Sequence, residues 1–497
     1  MSSSNLVRIG YKKESSYGVT PAAVKASLVK LDLTFTALKG GSQGNDISIE
    51  FLDGGAPDVA GVVTVTGNLI SVSMDDGAST ATQMKAALDG SAEAAALITT
   101  AITGTAGDPQ NAFAEDNLET GSGEFKTARF TAEKYSGTPE TTESQQIRTD
   151  RMSSGQVVTG LTVEGGHNFE LAKEEAIEDF LESAMFNAWE EFTIVNHSLA
   201  LNLTTKKLIR TTGSFIDEGV EVGMFLKLTN FAVAANNAII FVNTVTDLEV
   251  TFNYPAASGM VTAAAEAASY QICDRLKIGT TKKSLTVEKT FIDLTTKALI
   301  YRGCLVSQME LNVEYGALVS GSFTTMGNDY DNADAASEFA SYLEYFEDPA
   351  TTNTLNGSVD MPFLTTNVTG SWVQDSLCLQ NLNLTLDNNF TVQNCIGRAA
   401  PENFSPGTAA IAAKLSSYLK DANWDLLTKK LSQADFSIAF AVANTDGWYG
   451  FYLPAIQVTF DDPASGGANQ EISMDMEGVA KVGDNGESAL TIYREPA

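Results

Sequence analysis

Two histidines, His167 and His197, and four cysteines, Cys273, Cys304, Cys378 and Cys395, are the only such side chains in a chain of 497 residues. No Cys-x-x-Cys pair occurs, and no Cys–His cluster has the spacing of a zinc site. The cysteines fall in apolar, strand-like runs such as Gln271-Ile272-Cys273, Cys304-Leu305-Val306 and Leu377-Cys378-Leu379. That setting predicts buried free thiols rather than disulfides or nucleophiles. Acidic pairs are plentiful, as in Glu174-Glu175, Glu178-Asp179 and Asp461-Asp462. Paired carboxylates can cleave glycosidic bonds, but residues 174–179 read as the solvated side of a helix. The run Gly40-Gly41-Ser42-Gln43-Gly44-Asn45-Asp46 lacks the Gly-Lys-Ser/Thr that lets a P-loop hold phosphate, and predicts a hairpin loop. Catalysis is thus poorly supplied, and no catalytic residue, metal or cofactor is expected.

Charge narrows the field further. Asp and Glu number 62 against 31 Lys and Arg, a formal net charge of −31. A binder of nucleic-acid backbone needs a basic surface that releases counterions, so this balance argues against one. Charged residues make up only 19%, which suits a chain that buries surface against other subunits. No apolar run reaches the roughly 18 residues of a membrane span. Met1-Ser2-Ser3-Ser4-Asn5 lacks the basic and apolar regions of a signal peptide, so neither Sec export nor membrane insertion is expected.

The elements that would position any site are mostly strands. Alternation of apolar and polar residues in 305–313, 381–386 and 455–460 predicts sheets with one face in a core and the other facing solvent or a partner. Helical spacing predicts helices in 170–189, in 80–100, and in 410–419 followed by 424–431. An ordered likeness also recurs. Phe180-Leu181-Glu182-Ser183-Ala184 resembles Tyr418-Leu419-Lys420-Asp421-Ala422. The strand of Met309, Leu311 and Val313 resembles that of Ile456, Val458 and Phe460. Ser322–Gly327 resembles Ser473–Gly478. Two β-rich domains of one fold in tandem are the expectation. Two segments interrupt the first. Residues 31–127 read as a small α+β unit, and 192–275 as a small five-stranded barrel with tight turns at Asn236-Asn237 and Asp247.

Particular stretches carry a family likeness. Glu143-Ser144-Gln145-Gln146-Ile147-Arg148-Thr149-Asp150-Arg151, Val163-Glu164-Gly165-Gly166-His167-Asn168-Phe169-Glu170-Leu171 and Arg8-Ile9-Gly10-Tyr11-Lys12-Lys13-Glu14-Ser15-Ser16-Tyr17-Gly18-Val19-Thr20-Pro21 resemble the tail tube proteins of tailed bacteriophages. Gly213-Ser214-Phe215 through Gly223, with Asn236-Asn237, resembles an insertion of a long-tailed, non-contractile subfamily. Tyr452-Leu453-Pro454-Ala455 and Gly478-Val479-Ala480 are similar to that family's last strands. The likeness covers most of the chain outside 31–127.

The resemblance implies a mainly β fold of sandwich or barrel domains, each with a flanking helix. It also implies a division of the chain. Residues 1–30 form an N-terminal arm and 31–127 an inserted α+β module. Residues 128–191 and 276–345 are two parts of a first tube domain, separated by the barrel module 192–275, and 346–497 form a second. Six tube domains make a ring, so tandem domains imply a trimer that mimics a hexamer. Rings stack through the arm, where Arg8, Tyr11, Tyr17 and Pro21 are candidates, and their bore passes DNA into the host without specific binding. Implied partners are further copies, the tape measure, the tail tip and the terminator. The implied location is the virion tail, assembled in the host cytoplasm. Candidate bore-facing acids are Glu288, Glu310, Glu314, Asp475 and Glu477. Deleting 1–20 should then spare the fold, and removing 192–275 should leave tube formation intact. A carbohydrate-binding or adhesive β-sandwich is the competing reading, and it predicts clustered exposed aromatics. Trp189, Trp372, Trp424 and Trp448 are scattered in sequence and read as packing residues.

Overall fold

The structure is a computed structural model. It describes residues 6–54, 61–146, 149–150, 152, 155–255, 258–294, 297–333, 346–347, 353–357, 361, 363–368, 370–374, 377–463 and 471–496. Ile147, Arg148 and Arg151, and the domain boundary expected at 345, lie outside this set. The fold is mainly β, as the alternation predicted, with four α-helices among the described residues. The chain divides into two compact units.

The first unit takes Met1–Arg129, Ser284–Cys304 and Asp329–Pro349. Val7–Lys13 is an inner strand of its sheet, antiparallel to Phe125–Ala128 on one side and Leu285–Phe291 on the other. Ile9 and Tyr11 are fully buried there. Glu14 fastens the turn after this strand, accepting hydrogen bonds from the amides of Gly18 (2.6 Å) and Gly303 (2.7 Å) and from Thr286 Oγ1 (2.8 Å). The expected free arm is therefore, over these residues, part of a core, and Tyr11 has no surface to offer a stacked ring. Arg8, Tyr17 and Pro21 are half-buried.

The α+β module begins earlier than residue 31. Lys25–Lys30 pairs with Leu33–Gly40, which pairs with Ile98–Ile102. A four-stranded sheet of Val62–Thr66, Leu69–Met74, Ser48–Asp53 and Phe113–Asn117 completes it. Val62–Thr66 and Leu69–Met74 form a hairpin turned at Gly67, whose φ of 64° favours glycine. Residues 42–46 form a short 3-10 turn instead of a hairpin loop. Helix α1 (Ala81–Gly90) starts at a capping box in which Thr80 and Gln83 satisfy each other's backbone. Helix α2 (Ala92–Ala95) comes directly after it. Phe35, Phe51, Val72, Met84 and Leu88 fill the core between them.

The second unit takes Phe130–Lys283, Leu305–Asn328 and Ala350–Ala497. Its main sheet runs in the order Ser136–Glu143, Gln156–Glu170, Ser320–Gly327, the 305–314 part of Ala298–Glu314, Leu379–Asp387, Ala410–Tyr418, Ser473–Lys481 and Trp448–Thr459. All neighbours are antiparallel. Gly165 and Gly166 lie inside a strand. A Cβ on Gly166 would stand 2.0 Å from the Phe323 carbonyl oxygen, and one on Gly165 2.3 Å from that of Lys134.

Ala410–Tyr418, expected as helix, is a strand with Ile411, Ala413, Leu415 and Ser417 buried alternately. Its alanines suit either state, and pairing on both sides decides for the sheet. Helix α3 (Glu175–Met185) comes after the Gln156–Glu170 strand, and helix α4 (Asp425–Ser432) after Ala410–Tyr418. The order of elements thus matches α3 with α4, and not Phe180–Ala184 with Tyr418–Ala422 as the residue likeness suggested.

The inserted barrel is closed by six strands rather than five: Val195–Asn202, Lys207–Arg210, Glu249–Asn253, Ile239–Val245, Phe225–Thr229 and Ala263–Ile272. Gly213-Ser214-Phe215 is a bend and turn. The side chain of Arg210 fixes it, donating to Glu218 (2.6 and 2.9 Å), to His197 Nε2 (2.7 Å) and to the Thr212 carbonyl (2.6 Å). Arg210, joined by Tyr270 and His197, holds the Glu218 carboxyl down at about 2. Phe225 and Phe241 pack outside the barrel's own core, against Phe363, Trp448, Tyr452 and Tyr493. The barrel is thus built into the second unit's core.

Candidate functional surface

Register carries side chains across the main sheet in continuous rows. One row reads Asn168, Ser322, Glu310, Thr385, Ala412, Val479 and Gln457. The next reads Glu170, Ser320, Asn312, Asn383, Lys414, Glu477 and Thr459. These residues are exposed or half-buried. Rows of the opposite face alternate with them: in the row beside the first, His167, Phe323, Met309, Leu386, Ile411, Ala480 and Ile456 are all buried. The period of two therefore gives this sheet one apolar face and one polar face across all its strands.

Carboxylates at Glu164, Glu170, Glu310, Glu314, Asp387, Asp475 and Glu477 outnumber the ammonium groups of Lys134, Lys414 and Lys481 on the polar face. The remainder is mostly Asn, Ser, Thr and Gln, with Ala412 and Val479 among them. Short bonds hold these groups in place. Asn383 Nδ2 donates to Glu310 Oε1 at 2.7 Å, Thr385 Oγ1 to Asn383 Oδ1 at 3.2 Å, and Ser416 Oγ to Asp475 Oδ1 at 2.6 Å. Lys414 Nζ stands 3.4 Å from Glu477 Oε1.

Four of the five acids singled out from sequence, Glu310, Glu314, Asp475 and Glu477, come together on this face. Glu288 does not. It is fully buried in the first unit, where Thr290 Oγ1 donates to its Oε1 at 2.7 Å, so it lines no surface. Glu164, Glu170 and Asp387 were missed. Their signal was present in the alternation of Asn381, Asn383, Thr385 and Asp387 and of Glu164, Asn168 and Glu170.

The acidic run on α3 has a structural task. Glu174, Asp179 and Glu182 are buried, against the expected solvated helix face. Glu178 and Asp274 both accept from Arg494, at 2.5 and 3.2 Å, and the guanidinium lies 4.7 Å over the Trp189 ring. Burial pushes the Glu178 and Asp274 carboxyls up, and Arg494 pulls both back. These acids clamp the C-terminal strand Thr491–Arg494. His167 is equally internal. Tyr135 Oη lies 2.9 Å from its Nδ1, its ring meets Phe180 edge-on, and burial alone lowers its pKa to about 4. Cys273 and Cys304 are buried, but Cys378 is only half-buried and Cys395 is exposed, which corrects the uniform burial expected of the thiols. Of the tryptophans, Trp372 and Trp448 join the aromatic cluster around Phe225 and Phe241, while Trp424 is exposed.

Among the described residues no group of His, Cys, Asp or Glu is placed to hold a metal, and no helix is long and apolar enough to cross a membrane. A broad, hydrogen-bonded, acidic sheet face with its carboxylate pairs spent on structure defines a structural β subunit. A family model described as phage tail tube protein matches residues 114–480, and the chain belongs to that family. It is a structural component of the bacteriophage virion tail, not an enzyme, and family membership implies assembly with other tail subunits into a tube. No curated protein matches the chain.

Proposed function

We propose that the chain is a double subunit of the tail tube of a long-tailed, non-contractile phage, in which three copies close a ring that mimics six domains. The single observation that carries this reading is a seam inside the main sheet. Gln308–Glu314 pairs with Asn381–Asp387 and joins two four-strand groups of the same pairing order. The first group is Ser136–Glu143, Gln156–Glu170, Ser320–Gly327 and 305–314. The second is Leu379–Asp387, Ala410–Tyr418, Ser473–Lys481 and Trp448–Thr459. The described pairings end at Ser136–Glu143 on one side; on the other, Trp448–Thr459 pairs on with Phe436–Ala443 only as far as Ile456, which leaves its 457–459 end without a described strand partner there. Sheet edges template further pairing, and closure into a ring removes them. A repeat of the internal seam between copies would bring residues 459–463 of one chain beside the 134–138 edge of the next. A cyclic contact within the ring and a heterologous contact along the axis then give a filament of fixed width.

In such a ring the acidic face lines the bore, where it repels DNA phosphate and lets the duplex slide into the host. Stacked rings can draw on Arg8, Tyr17 and Pro21, which stay partly on the surface. The tape measure, tip and terminator complete the tail, assembled in the host cytoplasm. Negative-stain electron microscopy with mass photometry across concentration tests the reading. Hollow rings or tubes built from trimers are expected. Rings of six chains would refute the tandem-domain reading, and a chain monomeric at every concentration, even with tail-tip complexes present, would refute self-assembly.

A further inference from the structure

Helix α4 is apolar on two sides. Leu426 is fully buried beneath it, while Trp424, Leu427 and Leu431 keep helical spacing along the opposite side. Trp424 is 58% and Leu431 85% exposed. A tryptophan and leucines aligned on one exposed helix face mark a contact surface.

The same chain shows what covers such a helix. In α3, residues on every side are buried, including Ile177, Leu181 and Ala184. Part of the cover is the segment 388–409. Asn388 Nδ2 donates to the Ala184 carbonyl at 2.9 Å, and Phe390 meets Phe186 edge-on at 5.8 Å. That segment leaves the sheet where Asp387 pairs with Ala410, eight residues before the strand end at Tyr418. The hairpin 139–161 leaves the sheet where Thr138 pairs with Thr162, eight residues before the strand end at Glu170. The two segments hold the same place in the two strand groups. Yet, among the described residues, its strands cap no helix in their own chain, and Val157 and Val158 are 63% and 59% exposed.

We propose that the Trp424, Leu427 and Leu431 face of α4 is the docking surface for the 139–161 hairpin of a second copy of this chain. The inference rests on the ring reading above. It adds a contact on the apolar side of the sheet, separate from the strand seam. Val157 and Val158 point to opposite sides of their strand, so one of them turns toward the helix whichever way the hairpin lies.

The test mixes two variants of the full chain, each with Cys395→Ser to remove the exposed thiol. One carries Val158→Cys, the other Leu431→Cys, and a short bis-maleimide is added under assembling conditions. A covalent dimer confined to the mixture is expected. Leu431→Glu, on a side chain already in solvent, should keep its circular dichroism and raise the concentration needed for assembly roughly tenfold or more. Rings that form at wild-type concentration with Leu431→Glu, or rings that give no mixed dimer, overturn this inference and leave the ring reading standing. A wild-type chain that never associates overturns both.

Discussion

His167 shows how a residue with a chemical reputation serves packing. It lies between Phe180 and Phe323, bonded to Tyr135, and burial holds its pKa near 4 against an ordinary 6.5. The unfolded chain therefore takes up a proton at a pH where the folded chain does not. Stability from this residue is complete above about pH 6.5 and is lost as pH falls toward 4, a span worth roughly 3 kcal/mol. Urea unfolding at pH 7, 5.5 and 4.5 should show that decline in the wild type, and His167→Gln should flatten it. An equal decline in the variant would assign the acid sensitivity elsewhere. Gly166 is constrained as tightly by geometry. Gly166→Ala should cost about 1–3 kcal/mol in the same assay, because the strand backbone of Phe323 leaves no space for a methyl group.

At the scale of elements, two segments that look detachable in sequence are integral. Val7–Lys13 has strands on both sides, so deleting residues 1–20 should unfold the first unit's sheet. Tyr11→Ala alone should cost about 3 kcal/mol. Excision of 192–275 should expose Phe363, Trp448, Tyr452 and Tyr493 and give an aggregating chain. Phe225→Ala should lower stability by about 3–5 kcal/mol with the barrel still closed. Thermal unfolding and light scattering of these variants decide both points, and a soluble, cooperatively unfolding deletion would contradict them. The sequence made the strand content, the α+β module, α3 and four face acids legible, because period and burial agree there. It misled where composition is neutral. The alanines of 410–418 fit helix or strand until neighbours on both sides impose a sheet, and the acids of α3 look solvated until Arg494 arrives from the far end of the chain. The burial of Tyr11 and Glu288 depends on a pairing between residues some 280 positions apart, which no local pattern encodes.

For the whole molecule, net charge and sheet register together bear on the role proposed for the polar face. A surplus of 31 acids spread evenly would give solubility alone. Here carboxylates recur along adjacent rows of one sheet, set among amides and hydroxyls that bind them. Lysines are few enough that Lys414 and Lys481 find acidic partners at Glu477 and Asp435. Such a wall offers phosphate little counter-charge. If it lines the bore, Glu310, Glu314, Asp475 and Glu477 changed together to Lys should leave the apolar face, the seam and assembly unaltered, since all four side chains are exposed. The variant tubes should retain short duplex DNA on pelleting at low salt and release it steeply as salt rises, while wild-type tubes retain none. Retention restricted to the outside of the tube, seen as DNA fully open to nuclease while bound, would place this face on the exterior. Protection from nuclease within the variant tubes would place it inside, and the slippery wall would then arise from the same alternation that keeps the opposite face dry.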